Sequence, residues 1–154
     1  MFLRLDQGSK NQLYLNYTRP TVEFGNVIYN NCCVADSIKL DQLQRKAAVI
    51  CTGAMKLTET CNLMRKLNWE SLKIRRDLAS LNITYKILHA LMPLYLSEHI
   101  EMISLANHAT RLSLPERLNI KTRRYRLSSS QNSFFSRSSK LWNELPLSVK
   151  QSTV

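Results

Sequence analysis

The chain is poor in the two residues that mark tight turns, since glycine and proline account for only 3 and 4 of its 154 residues. A protein built from many short strands needs a turn every few residues, and such turns favour glycine and proline. With 44% hydrophobic residues the chain still has enough apolar side chains for a core. The composition therefore favours helices, in a chain of a length that fits one domain.

Long apolar runs are also missing. No stretch approaches the roughly 20 uninterrupted apolar residues that span a bilayer, and Arg4 and Asp6 interrupt the apolar start before a signal-peptide core can form. We therefore expect no membrane partner and an intracellular location, either nuclear or cytoplasmic.

The cysteines, which we then expect to be reduced thiols, are Cys32, Cys33, Cys51 and Cys61. They lack the paired spacing of a zinc site, so we predict no metal and no other cofactor.

Groupings of catalytic residues are equally scarce. Polymerases and nucleases that use two metal ions need clustered carboxylates, yet the 11 acidic residues are mostly isolated and no two aspartates are adjacent. Gly8, Gly25 and Gly53 are also isolated, so there is no glycine-rich loop that could hold a phosphate. The sequence predicts a protein that is not an enzyme and has no small-molecule substrate.

What the chain has in excess is positive charge, with 22 basic against 11 acidic residues and a net charge of +11. The excess is uneven: residues 104–154 carry 9 basic and 2 acidic residues, a net +7, whereas residues 1–103 carry a net +4. A field of this sign makes the backbone of RNA or DNA the expected partner, because basic side chains that bind phosphates release counterions.

Helical periodicity predicts two long helices, over residues 36–55 and 71–92. Asp36 or Ser37 is expected to cap the first helix, and Gly53 lies near its end. Its apolar stripe comprises Leu40, Leu43, Ala47, Ile50 and Ala54. The second helix has the most regular repeat, which predicts a buried seam of Ile74, Leu78, Leu81, Tyr85, Leu88 and Met92.

Shorter helices are predicted around these two. One pair covers residues 11–29 with a break at Arg19 and Pro20, and a third helix follows Thr58, its expected cap. A last helix begins near Asn132 and ends at Pro146. We assign Trp69 and Trp142 to the core. The predicted fold is mainly α, an irregular multi-helix bundle with a short basic extended or β-hairpin segment near residues 110–128.

Basic residues gather at three places that could contact phosphates. Arg45 and Lys46 lie on the polar side of the first long helix, and a second cluster in the first turn of the other is formed by Lys73, Arg75 and Arg76. Cations at a helix N-terminus oppose the helix dipole, which suggests either an anionic partner or a solvated face. The third group lies in an expected short strand and comprises Lys121, Arg123, Arg124, Tyr125 and Arg126. Tyr125 could stack on a base, or it could be a half-buried core residue.

Five segments, in order, are similar to the end of the reverse transcriptases of non-LTR retrotransposons (LINE elements of the jockey kind). Residues 13–29, LYLNYTRPTVEFGNVIY, resemble the stretch that follows the palm domain in this family, and residues 40–48, LDQLQRKAA, resemble its next helix. The later matches are LNWESLKIRR at 67–76, YKILH at 85–89 with PLYL at 93–96, and TR at 110–111 with SFFSRSSKLWNELP at 133–146. Phe24 and Tyr29 depart from the family pattern, which has Tyr and Trp there.

The resemblance implies a thumb-like helical bundle over residues 1–103 and a basic post-thumb segment with a terminal helix over residues 104–154, truncated at both ends. The family's activity is RNA-directed DNA synthesis, and the catalytic aspartates of the palm would precede residue 1. The chain is then expected to be a non-catalytic fragment that binds a nucleic-acid backbone without sequence preference. The palm domain of the parent element is a further expected partner. Two alternatives stay open: a helical module that docks on a polymerase core or self-associates, and a decayed element remnant without a selected function.

Overall fold

A computed structural model describes residues 5–103 and 118–151 of the chain. Most of these residues are helical, which confirms the predicted mainly α class. The chain divides into two compact units, Met1–Arg76 and Asp77–Val154. The predicted division at residues 103–104 falls at the edge of a stretch outside the described residues and stays a prediction. Among the described residues, no helix has both the length and the apolar content that crossing a membrane requires.

The helices of the first unit are α1 (Gln7–Leu13), α2 (Arg19–Glu23), α3 (Asn26–Tyr29), α4 (Val34–Thr52) and α5 (Thr60–Leu67). The unit boundary falls within helix α6 (Leu72–Leu88). The remaining helices are α7 (Leu94–Ser97), α8 (Ser128–Gln131), α9 (Phe134–Glu144) and α10 (Leu147–Gln151).

The expected break at Arg19 and Pro20 is instead a widened helical turn. Residues Tyr14–Thr18 form a π-helix, in which the Arg19 amide donates to the Tyr14 carbonyl. Proline inside a helix lacks an amide donor and crowds the carbonyl four residues earlier, and a π-turn just before Pro20 accommodates both effects. Pro20 itself lies in the first turn of α2, as predicted.

The core of the first unit is formed where α4, α5 and the π-turn meet. Its buried residues are Tyr14, Ala48, Cys51, Leu63, Leu67 and Trp69. The Tyr14 and Trp69 rings stack with centroids 4.0 Å apart, and the Trp69 indole N–H donates to Asn11 Oδ1 at 2.9 Å. This confirms Trp69 as a core residue.

The buried face of α4 lies one residue further along the chain than predicted, and the helix begins two residues earlier than predicted. The buried residues of α4 are Gln44, Ala48 and Cys51, whereas Ile50, in the predicted stripe, is 65% exposed. Gln44 can be buried because its amide donates to the Glu70 carbonyl at 2.8 Å. The cap is Cys33 rather than Asp36 or Ser37, and Gly53 ends the helix in the left-handed region, as expected.

The predicted seam of α6 is also not the buried one. Ile74 and Leu78 are 52% and 46% exposed. The residues of α6 that are buried are Leu72, Arg76, Ser80, Thr84 and Ile87. Small hydroxyl side chains can be buried on this face because each can donate a hydrogen bond to the backbone of its own helix. Thr84 does so, donating to the Ser80 carbonyl at 2.9 Å. The helix begins after Ser71, whose hydroxyl accepts from the Ile74 amide, and ends at Leu88 rather than Met92, with Ala90 at φ 53°.

In the second unit, Trp142 lies in the core and its indole N–H donates to the Leu118 carbonyl at 3.0 Å. Asn143 clamps the Ile120 backbone: the Ile120 amide donates to Asn143 Oδ1 at 2.8 Å, and Asn143 Nδ2 donates to the Ile120 carbonyl at 2.9 Å. Buried Lys150 donates to Asn119 Oδ1 and to the Asn143 carbonyl. These polar contacts fix residues 118–120 against α9 and α10.

The predicted basic strand does not form within residues 118–128. The described residues there contribute one isolated antiparallel bridge, between Met102 and Ile120. Two backbone hydrogen bonds flank it, from Ile103 to Asn119 and from Lys121 to Glu101. Beyond it the chain has no regular structure until α8, and residues 110–117 of the prediction lie outside the described part.

Candidate nucleic-acid interface

The two arginines at the start of α6 are held inside the first unit. Arg75 forms a two-pronged ion pair with Glu23, through Nε to Oε1 and through Nη2 to Oε2 at 2.9 Å. Arg76 is only 4% exposed and donates to Asn30 Oδ1 at 3.0 Å and Ser37 Oγ at 3.1 Å. These contacts account, within the fold, for two of the three basic residues of this cluster; Lys73 is exposed.

Glu23 is the electrostatic centre of this arrangement. Burial alone would raise the pKa of its carboxyl group, but hydrogen bonds from Arg75 and Arg19 lower the pKa overall. Arg19 Nε lies 3.1 Å from Glu23 Oε1. Arg19 and Arg75 are thus already occupied by Glu23, and Arg75 Nη1 also lies 3.7 Å from Glu70 Oε2. A phosphate would have to displace these carboxylates before it could bind the two arginines.

Arg45 also has a structural contact. Its Nη2 donates to the Lys56 carbonyl at 2.7 Å and to the Thr58 carbonyl at 3.1 Å, which fastens α4 to the loop before α5. Lys46, the next residue, is exposed. The pair predicted from the sequence therefore divides into one side chain that supports the loop and one that faces solvent.

The basic stretch 121–126 is different, because its four cations are exposed. Lys121 Nζ and Arg123 Nη2 share one carboxylate, Glu101, at 3.3 and 2.8 Å, and their hydrogen bonds lower the pKa of Glu101. Arg124 and Arg126 make no ion pair with any residue in the described ranges. Within the described ranges, the stretch thus presents four positive charges, of which two are paired with one carboxylate, that of Glu101.

Tyr125, which lies between Arg124 and Arg126 in the chain, is half-buried, and its carbonyl accepts from Gln131 Nε2 at 2.9 Å. This bond ties the basic stretch to the end of α8. Leu127, directly after the basic stretch, is 67% exposed.

Nothing in the described parts of the chain groups three or more histidine, cysteine, aspartate or glutamate side chains where a metal could bind. No protein-family model, curated protein or solved structure matches the chain.

Proposed function

We propose that this chain is a thumb and post-thumb portion of a LINE-type reverse transcriptase and that it binds a nucleic-acid backbone without sequence preference. The five ordered sequence segments support the family assignment. The exposed basic stretch 121–126 is the observation that carries the binding function. In this role the chain catalyses no step itself and holds RNA or DNA for the polymerase.

Arg124 and Arg126 are the first expected phosphate contacts, because their guanidinium groups pair with no carboxylate among the described residues. Lys121 and Arg123 would have to give up Glu101 before binding, so each is expected to add less. Contacts of this kind position a nucleic acid and carry no sequence information. Because Tyr125 is half-buried, we expect it to hold the backbone of the stretch in place rather than to offer a ring on which a base could stack.

The test is the salt dependence of binding, measured by fluorescence anisotropy with a labelled duplex and a labelled single strand. We expect the logarithm of the binding constant to fall linearly with the logarithm of salt concentration. Replacing both arginines (Arg124→Gln with Arg126→Gln) should reduce the duplex slope by about 1.8, since each phosphate contact contributes about 0.9.

A matched control removes the same two charges elsewhere, at exposed Lys66 and Lys86 (Lys66→Gln with Lys86→Gln). This control should change the slope by less than half as much. Absence of binding at low salt, a slope insensitive to the arginines, or an equal effect of the control would each contradict the proposal.

A second candidate, docking onto a polymerase palm or self-association, is favoured by exposed apolar side chains. Phe24 and Ile28 in the first unit are 86% and 82% exposed, which is unusual for such large apolar groups. Self-association predicts a mass above that of the monomer by light scattering, lowered by Phe24→Ser. A monomer at all concentrations would leave palm docking as the remaining form of this candidate.

A further inference from the structure

A further candidate surface of the first unit lies beside α4. It is a cleft of about 540 Å³ lined by Gln42, Arg45, Lys46, Val49, Ile50 and Lys56. Its volume falls within the range of about 300–1,000 Å³ that is usual for ligand clefts. We call this surface the α4 cleft.

The α4 cleft combines apolar walls with a basic rim. Val49 and Ile50 supply branched aliphatic surface, and Ile50 is 65% exposed. Met55 and Leu57, on either side of Lys56 in the chain, are 83% and 95% exposed. Three cations, Arg45, Lys46 and Lys56, line the same cleft, and none of its described lining residues is acidic.

The rim is partly preorganised. The contacts of Arg45 with the Lys56 and Thr58 carbonyls hold the guanidinium in place and fix the loop that carries Lys56. A rim fixed before binding loses less side-chain freedom when a partner arrives.

We propose that the α4 cleft binds an acidic amphipathic helical segment of another protein, with apolar side chains against Val49 and Ile50 and carboxylates against the rim. The inference does not depend on the proposed nucleic-acid binding. Helix-in-groove recognition uses this combination of apolar anchors and flanking charge.

Charge and chemistry select this occupant over two others. A second copy of the chain carries a net charge of +11, so pairing through a basic rim is opposed by repulsion. A nucleic acid would find no aromatic ring among the lining residues on which to stack a base, and the aliphatic walls gain free energy only by contacting apolar groups.

The test uses the full chain and three labelled 16-residue helical peptides that share a leucine face. The flanking residues are glutamate in the first peptide, glutamine in the second and lysine in the third. We expect the glutamate peptide to bind roughly tenfold more tightly than the glutamine peptide, because two or three charge pairs each add a fraction of a kcal/mol. The lysine peptide should bind most weakly.

Two variants test the apolar and the basic parts of the cleft separately. Ile50→Asn should weaken the glutamate peptide about fivefold or more, and Lys46→Gln should weaken it about threefold. Their matched controls, Leu91→Asn and Lys66→Gln, replace similarly exposed side chains outside the cleft and should leave the affinity unchanged. Because Ile50 is exposed, the helical circular dichroism signal should persist in all four variants.

Equal affinity for the glutamate and glutamine peptides would overturn the proposal, as would controls that weaken binding as much as the cleft variants. An oligonucleotide duplex that displaces the peptide and loses affinity on Ile50→Asn would instead assign the cleft to nucleic acid. A dimer that dissociates on Ile50→Asn would assign it to a second copy.

Discussion

Among the described residues, the two units bury apolar and polar side chains in different proportions. The first unit has an apolar and aromatic core, in which Leu63 is 2% exposed and Tyr14 stacks on Trp69. The second unit buries a set that is largely polar: Ser80, Thr84, Ser136, Ser138, Ser139 and Lys150, beside Ile87, Ile120 and Trp142.

The difference shows two ways of holding helices together. Apolar burial contributes free energy in proportion to the area removed from water. Small hydroxyl side chains contribute little area, but they avoid a penalty by donating to their own helix, as Ser139 does to the Phe135 carbonyl at 2.7 Å. The second unit therefore depends more on hydrogen-bond geometry, and the first more on packed volume.

The largest expected effect is in the apolar core. Leu63→Ala should destabilise the first unit by about 2–5 kcal/mol, since it removes a buried side chain and leaves a cavity. Urea unfolding followed by Trp69 fluorescence in a Trp142→Phe background reports this unit. Leu57→Ala, at a side chain that is 95% exposed, is the matched control and should change stability by less than about 0.5 kcal/mol. Similar losses in both variants would contradict the assignment of the core.

A second, smaller effect is expected in the polar unit. Asn143→Ala removes both hydrogen bonds to Ile120 and leaves its buried amide without a partner, which should cost about 2–3 kcal/mol. Asn143→Asp keeps an acceptor for the Ile120 amide but turns a carboxylate oxygen toward the Ile120 carbonyl, so it should not restore the stability of the unsubstituted chain. Trp142 fluorescence in a Trp69→Phe background is the measurement. An unchanged unfolding midpoint for Asn143→Ala would show that hydrogen bonding does not distinguish this unit.

The smallest effect concerns pH and the first unit. The pKa of Glu23 is lowered in the folded chain. Its contribution to the free energy of unfolding is therefore fully present above the ordinary pKa of 4.5 and is lost as the pH falls through the lowered value. Glu23→Gln should cost about 1 kcal/mol at pH 7, and its unfolding curve should approach that of the unsubstituted chain in acid. Asp41→Asn, which neutralises an exposed acid on α4, should leave the pH dependence intact. A constant difference at every pH would contradict the role of Glu23.

The sequence predicted the helices better than their faces. Gly53 and Pro146 marked helix ends, because a left-handed cap and the effects of proline are local. The expected N-caps were wrong: α4 is capped by Cys33 rather than by Asp36 or Ser37, and α5 by Glu59 rather than by Thr58. The buried faces of α4 and α6 were mispredicted because burial of Gln44 and Arg76 depends on partners 26 or more residues away. Periodicity of apolar residues carries no signal for a polar side chain that is buried by one distant hydrogen bond.

For the candidate site, the sequence located the basic clusters but could not distinguish exposed cations from held ones. Arg75 and Arg124 look alike in sequence, yet Arg75 is paired with Glu23, 52 residues earlier, whereas Arg124 is exposed. The α4 cleft was missed altogether, because Lys56 reaches it from a loop that no helical pattern describes.

The Asn143 clamp has a consequence for the basic stretch. A side-chain amide has the same donor and acceptor as a peptide group, so Asn143 stands in for one residue of a neighbouring β-strand beside Ile120. Both backbone groups of Ile120 are then satisfied, so the chain can continue into residues 121–126 without pairing with a further strand. Amide hydrogen exchange should reflect this, with the Ile120 proton retained long after those of residues 122–126 have been replaced by deuterium.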